Sequence, residues 1–204
     1  MKRARVVARR IGYDTLRMER PAGALQRQAK RRLDHHYHYG AKVMNFDDSF
    51  EKLMGHEGGY SNNPADPVGE TMYGVTLCVA RKNGYIGPMH DLPLEKAKDI
   101  AKREYWDAVG GDLLPDAVRF DAFDGAYNSG PEQSIRWLQH AVYVDPDGKL
   151  GPNTLMGLRT YNGNAICARY NGHRLDFMNN LGGWANFGRG WSQRIAENLI
   201  ATKG

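Results

Sequence analysis

Two carboxylates in this 204-residue chain have the residue types and spacing to cut a glycosidic bond: Glu57, and Asp66 nine positions later. Such cleavage needs one carboxylic acid to protonate the leaving oxygen, and usually a second carboxylate to aid water or steady the developing cation. The acid must hold its proton at neutral pH, which requires a raised pKa. Glu57 follows Met54 by three residues, so it continues an apolar helical face toward the interior. It also sits in a last helical turn, where the helix dipole disfavours negative charge. Asp66 lies in a turn-rich loop with Thr71 and Thr76 close behind. An acid at a helix end, an aspartate on a ribbon and a threonine beyond it would line one side of a cleft. Asp66 reads equally well as a turn cap before Pro67.

The elements that must position these groups are legible in outline. Asn45 is a helix cap, followed by Asp47 and Asp48 in a first turn that favours acids. Phe46, Phe50, Leu53 and Met54 then form one apolar face, and Gly58-Gly59 stops the helix. Residues 60–76 are rich in turn formers and predict an extended loop or small β-ribbon. Further helices are predicted over about Pro93–Trp106, Asp116–Tyr127, Pro131–Val142, Pro152–Leu158, Ala165–Asn179 and Gly190–Ile200. With no internal repeat and no alternation of strand and helix, the fold class is mainly α, with a minor β element directly after the first helix.

Composition narrows the function classes. No stretch approaches 18 apolar residues, so no membrane span is encoded. Cys78 and Cys167 have no metal-ligand spacing; two half-buried thiols are expected, with a bridge between them left open. The chain lacks a phosphate loop, a His-Glu-x-x-His zinc helix and a Gly-x-Ser-x-Gly elbow, so neither metal nor cofactor is expected. The run from Asp145 to Gly151 echoes a calcium loop but lacks its terminal glutamate, and reads as a turn. The formal net charge of +5 is unevenly placed. Residues 1–43 carry twelve Lys/Arg and three Asp/Glu, whereas residues 44–204 carry sixteen and twenty. The basicity belongs to the first segment, and the body is mildly acidic. That segment has no apolar run of signal-peptide kind. It reads as a solvated basic tail, as an anchor for anionic surfaces or polymers, or as an extension upstream of Met44. Disorder or a lone helix is expected there. Its histidines, His35, His36 and His38, are no more than a weak metal tract. It lacks the interleaved aromatics of a nucleic-acid arm, so no nucleic-acid partner is expected.

The sequence HEGGYSNNPADPVGETMYGVT (56–76) resembles glycoside hydrolase family 108, bacterial and bacteriophage muramidases marked by Glu-Gly-Gly-Tyr with an essential glutamate. REYWDA (103–108), FDAFDGAYNSGP (120–131), DGKLGPNT (147–154) and GRGWSQR (188–194) continue the resemblance in order, over about residues 46–198. It implies a lysozyme-like helical fold and hydrolysis of the peptidoglycan glycan, with Glu57 as catalytic residue and Gly58, Gly59 and Tyr60 as the turn presenting it. Tyr73 and Thr76 become cleft residues, though Tyr73 reads nearly as well as ribbon packing. Asp124 and Asn128, one helical turn apart, would face the cleft from the opposite wall or else form a hydrogen-bond network at the helix end. Trp184, Trp191 and Arg194 read as core and latch, and His56 as a flank of the acid. The family's usual Glu-Thr-Asn-Tyr-Gly is here Glu70-Thr71-Met72-Tyr73-Gly74, so Met72 replaces an amide side chain. The implied organisation is a basic extension (1–43), a catalytic region (44–127) and a helical peptidoglycan-binding region (128–200) packed on it as one globule. A monomeric endolysin acting at the cell wall is expected, released through a holin-like pore. A lytic transglycosylase and a non-catalytic wall-binding or phage structural protein are the alternatives.

Overall fold

The first helix, α1 (Phe46–His56), starts where the sequence places it. Asn45 Oδ1 accepts the Asp48 amide at 2.9 Å, a side-chain cap for one of the orphan donors of the first turn. Phe50 and Leu53 are buried, and Phe46 and Met54 pack partly buried against the same core. A computed structural model describes residues 43–56, 59–62 and 69–202 of the chain. Glu57, Gly58, Asp66 and the basic extension before Val43 lie outside the described residues.

After α1 comes a two-stranded antiparallel ribbon, β1 (Thr71–Met72) and β2 (Val75–Thr76), with Thr71 opposite Thr76 and Met72 opposite Val75. Tyr73 (φ 54°) and Gly74 (φ 78°) make the two-residue connection, both in the left-handed region that a tight hairpin of this twist demands. A tyrosine there costs about 1 kcal/mol of local strain, held in place by the Tyr127 hydroxyl, which donates to the Tyr73 carbonyl at 2.8 Å. Thr76 then caps α2 (Leu77–Lys82), its hydroxyl oxygen accepting from the Val79 amide.

The remaining α-helices of the described residues are α3 (Leu94–Ala101), α4 (Asp116–Ser129), α5 (Pro131–Ala141), α6 (Pro152–Thr160), α7 (Gly163–Asn179) and α8 (Trp184–Ala201). The helix expected over 93–106 divides at Lys102. From there to Trp106 the backbone widens into a π turn, marked by the Asp107 amide bonding the Lys102 carbonyl five residues back. Widening turns both Tyr105 and Trp106 into the core. α4 is the central strut. Val118 and every residue from Phe120 to Tyr127 are buried, and α1, α5 and α7 pack around it. A helix apolar on several sides is a helix enclosed on several sides. Gly125 permits the closest crossing: a methyl group there would overlap the Tyr170 hydroxyl of α7.

Cys78 is exposed, Cys167 is buried, and both are free, so the bridge left open by the sequence does not form. The turn at Asp147–Lys149 is knitted by Gln139, which accepts the Gly148 amide and donates to Asp147 and Thr154. Among the described residues no helix is long and apolar enough to cross a membrane, and no cluster of three His, Cys, Asp or Glu could hold a metal ion.

Candidate active site

The site begins where α1 ends. His56 closes the helix with its ring against Phe120 and its Nδ1 3.5 Å from a carboxylate oxygen of Glu197 on α8. One turn earlier, the Lys52 ammonium sits over the same Phe120 ring, 3.8 Å from its centroid. Burial pushes Lys52 below its ordinary value, against the pull of Asp121 and Asp124. The residue after His56 is Glu57, so the last fixed point before the proposed acid is this packing of α1 on α4 and α8.

The chain is described again at Gly59 and Tyr60. Tyr60 is half-exposed, its ring edge-on to His90 at 5.9 Å. Its hydroxyl donates to Glu70 Oε1 at 2.6 Å, a bond that pushes the phenol above its usual range. Ser61 pairs with Thr71 through two backbone hydrogen bonds of 2.9 Å. Tyr60 and Ser61 are thereby stitched to the edge of the ribbon, Ser61 by backbone and Tyr60 by side chain. Glu70 was not singled out by the sequence argument. Its signal was its place immediately before β1, thirteen residues after Glu57, in the same Glu-Thr-x-Tyr-Gly stretch.

The structure distributes the other expected site residues unevenly. Thr71 and Tyr73 lie on the ribbon, partly buried, and Thr76 is occupied as a helix cap but keeps its hydroxyl proton. Met72 packs partly buried against the core, so on this ribbon the position is filled by an apolar contact. Asn128 is exposed and accepts from Arg174 at 3.4 Å. Asp124 corrects the expectation of a cleft contact. It is fully enclosed: Arg174 reaches Oδ2 at 2.6 Å, Arg194 reaches Oδ1 at 2.5 and 2.8 Å, and Asn198 donates to Oδ2 at 3.1 Å. Burial alone would raise its pKa, but the two guanidiniums outweigh it and hold the carboxyl below the ordinary range. The alternative that the sequence kept open, a hydrogen-bond network, is what Asp124 forms. Arg194 is the latch it was read to be. Trp184 and Trp191 lie outside the buried core with ring centroids 6.2 Å apart, and half-exposed Phe187 lies tilted against Trp191 at 5.8 Å.

Comparison with known proteins accords with this arrangement. The model of the family described as Glycosyl hydrolase 108 matches residues 50–130, from the middle of α1 to the end of α4. The structure of SagA from Brucella abortus superposes with a TM-score of 0.72 at 33% sequence identity, covering 77% of this chain and 92% of that one. The chain belongs to glycosyl hydrolase family 108. It is thus a lysozyme-type glycoside hydrolase of mainly α, lysozyme-like fold, with peptidoglycan as its substrate class. No match is found among the curated proteins. The family-108 match ends at Gly130, where α4 gives way to α5.

Proposed function

We propose that this family-108 hydrolase is a muramidase that cleaves the β-1,4 bond between N-acetylmuramic acid and N-acetylglucosamine, with Glu57 as general acid. The observation that carries the reading is that the chain is held just before and just after Glu57. Residues flanking Glu57 on both sides are fixed, His56 by Phe120 and Glu197 and Tyr60 by Glu70. An acid catalyst needs that fixity, because proton transfer demands heavy-atom contact of about 2.6–3.2 Å with the leaving oxygen.

Glu57 hands its proton to the glycosidic oxygen, the bond from that oxygen to C1 of the muramic acid breaks, and water adds to C1. Thr71 and Tyr73 on the ribbon and exposed Asn128 on α4 supply hydroxyl, ring and amide contacts to the sugars. Residues 128–200 serve as the wall-binding part, packed on residues 44–127. The expected biological outcome is lysis of a bacterial cell once the enzyme reaches its wall.

Replacing Glu57 by Gln should lower the rate of turbidity loss of chloroform-permeabilised Gram-negative cells by roughly 10²–10⁴-fold. Near-normal lysis by Glu57→Gln would end the assignment. Mass spectrometry of the released muropeptides should show products carrying an added water; 1,6-anhydro ends would make the enzyme a lytic transglycosylase instead.

A further inference from the structure

Within residues 128–200 an open groove runs between α5 and α7, lined on α5 by Arg136, Trp137 and His140 and on α7 by His173, Asp176 and Phe177. These positions recur three and four apart, so each helix turns one face to the groove. Its volume is about 360 Å³, enough for a small ligand or for one or two residues of a chain. We infer that the groove binds the stem peptide of peptidoglycan, taking the free side-chain ammonium of its diamino acid on the carboxylate of Asp176. The inference deepens the reading of residues 128–200 as the wall-binding part and rests on it.

Charge decides the class of ligand. The Arg136 guanidinium is already committed, donating to Glu132 Oε1 at 2.7 Å and to the Pro146 carbonyl. Burial and the neighbouring His140, its ring 4.9 Å away, push His173 below its ordinary value against the pull of Asp176. At neutral pH His173 is therefore an uncharged hydrogen-bonding group. Asp176 is exposed, and its carboxylate makes no hydrogen bond and no ion pair among the described residues. The groove thus offers an acid and lacks the cation to match it. A glycan strand brings hydroxyls and acetamides, which leave Asp176 as it is. The free amine of the stem's diamino acid brings the missing charge, and cross-linking removes that charge by making the amine an amide.

Two further observations agree. Asp176 stands in the last turn of α7, where the helix dipole disfavours a negative charge, and no basic residue shares that turn. An acid placed against the dipole and left without a partner costs the helix stability, and a bound ammonium offsets the cost. The groove also has an apolar floor. Buried Trp137 and partly buried Phe177 meet edge to face at 5.5 Å. Such a floor packs the methylene stem of a diamino acid while its charged end stays at the rim.

Titration calorimetry on the full chain tests this. The probe is a stem tetrapeptide blocked at its N terminus, with lysine or diaminopimelate as the diamino acid. The controls are the same peptides acetylated on the side-chain amine, and a chitooligosaccharide without peptide. The free-amine peptide should bind saturably, and its amine-acetylated form more weakly. Asp176→Asn should weaken binding about two- to fivefold, the worth of an exposed ion pair, and Asp176→Lys should weaken it further. The melting temperature of Asp176→Asn should hold or rise, since an acid leaves the last turn. Equal binding of free and acetylated peptides overturns the proposal. So does unchanged affinity in Asp176→Asn, displacement of the peptide by the chitooligosaccharide, or no saturable binding up to about 5 mM. Should Asp176→Lys not fold, the acetylated peptides on the parent chain decide in its place. Sedimentation with purified sacculi at about 200 mM salt, where exposed charges of residues 1–43 are screened, separates the two levels. If sacculi carry the chain down while no peptide binds, wall binding stands and only the groove is struck; if neither binds, both fall.

Discussion

Asp121 and Asp124 stand three residues apart on one buried helix face, yet their environments give them opposite titration behaviour. Burial is the dominant cause at Asp121 and raises its pKa, with the hydrogen bond from Asn171 at 2.8 Å pulling the other way. At Asp124 burial is outweighed by Arg174 and Arg194, and the pKa is lowered. A carboxyl depressed in the fold contributes stability above its unfolded value near 3.9, and that contribution is lost as pH falls through the folded value. A raised carboxyl does the reverse, contributing at acid pH and losing that contribution as pH rises through its folded value. Asp121→Asn should therefore raise the melting temperature at pH 7 by about 2–4 °C, the gain shrinking to nothing as pH approaches 3. Asp124→Asn should cost about 3–5 kcal/mol at pH 7 by leaving two buried guanidiniums facing an amide. Denaturant unfolding of both variants at pH 7 and pH 4 checks the signs; the same direction of change in both would contradict the assignment. That Asp124 would be enclosed and Asn128 not was illegible in the sequence. Asp124 and Asn128 share a helix face, but Arg174 and Arg194, fifty and seventy residues away, decide that one is buried and the other is not.

Most long helices were legible because their apolar residues recur with helical period, and their ends follow Asn45, Gly130 and Pro131. What escaped is short or locally irregular. α2 has six residues, too few to show a period, and only Thr76 before it and Arg81-Lys82 in its last turn mark it. The π turn at 102–106 differs from a helix by one residue in each bond, which no apolar pattern records. α8 begins at Trp184, six residues before the expected Gly190, and carries Gly188 inside it, buried beside the Trp184 ring. Glycine inside a helix is costly on its own terms, about 1 kcal/mol against alanine, and survives where a neighbour needs the space. Gly125 is the clearest case. Gly125→Ala should cost about 1–3 kcal/mol despite alanine's better helix propensity, because α4 and α7 cannot keep their separation. Tyr170→Phe removes the overlapping oxygen, so the double variant should recover part of the loss. A thermodynamic cycle on the two positions measures that coupling, and strict additivity would show that the crossing is not the cause.

At the scale of the whole molecule, charge is divided between the two parts of the chain. The sequence before Met44 carries a formal net charge of +9, whereas residues 44–204, with sixteen Lys/Arg and twenty Asp/Glu, carry −4. A mildly acidic catalytic body meeting an anionic wall polymer gains nothing from long-range attraction, so attraction at a distance must come from the basic segment. Screening discriminates between the two contributions. Interactions between exposed charges fade beyond a Debye length of about 8 Å at physiological salt, whereas hydrogen bonds and ring contacts at the ribbon do not depend on it. The full chain should therefore bind purified sacculi more tightly at 20 mM than at 200 mM salt, and a variant beginning at Met44 should lose most of that dependence. Hydrolysis of short, soluble peptidoglycan fragments should be the same for both, since Glu57, Tyr60, Glu70 and the ribbon are all retained. Sedimentation with sacculi across a salt series, run beside a fragment assay, makes the comparison. A salt dependence that survives in the shortened variant would move the electrostatic contact onto the body, where Arg189 on α8 and Arg159 on α6 would be the first cations to replace.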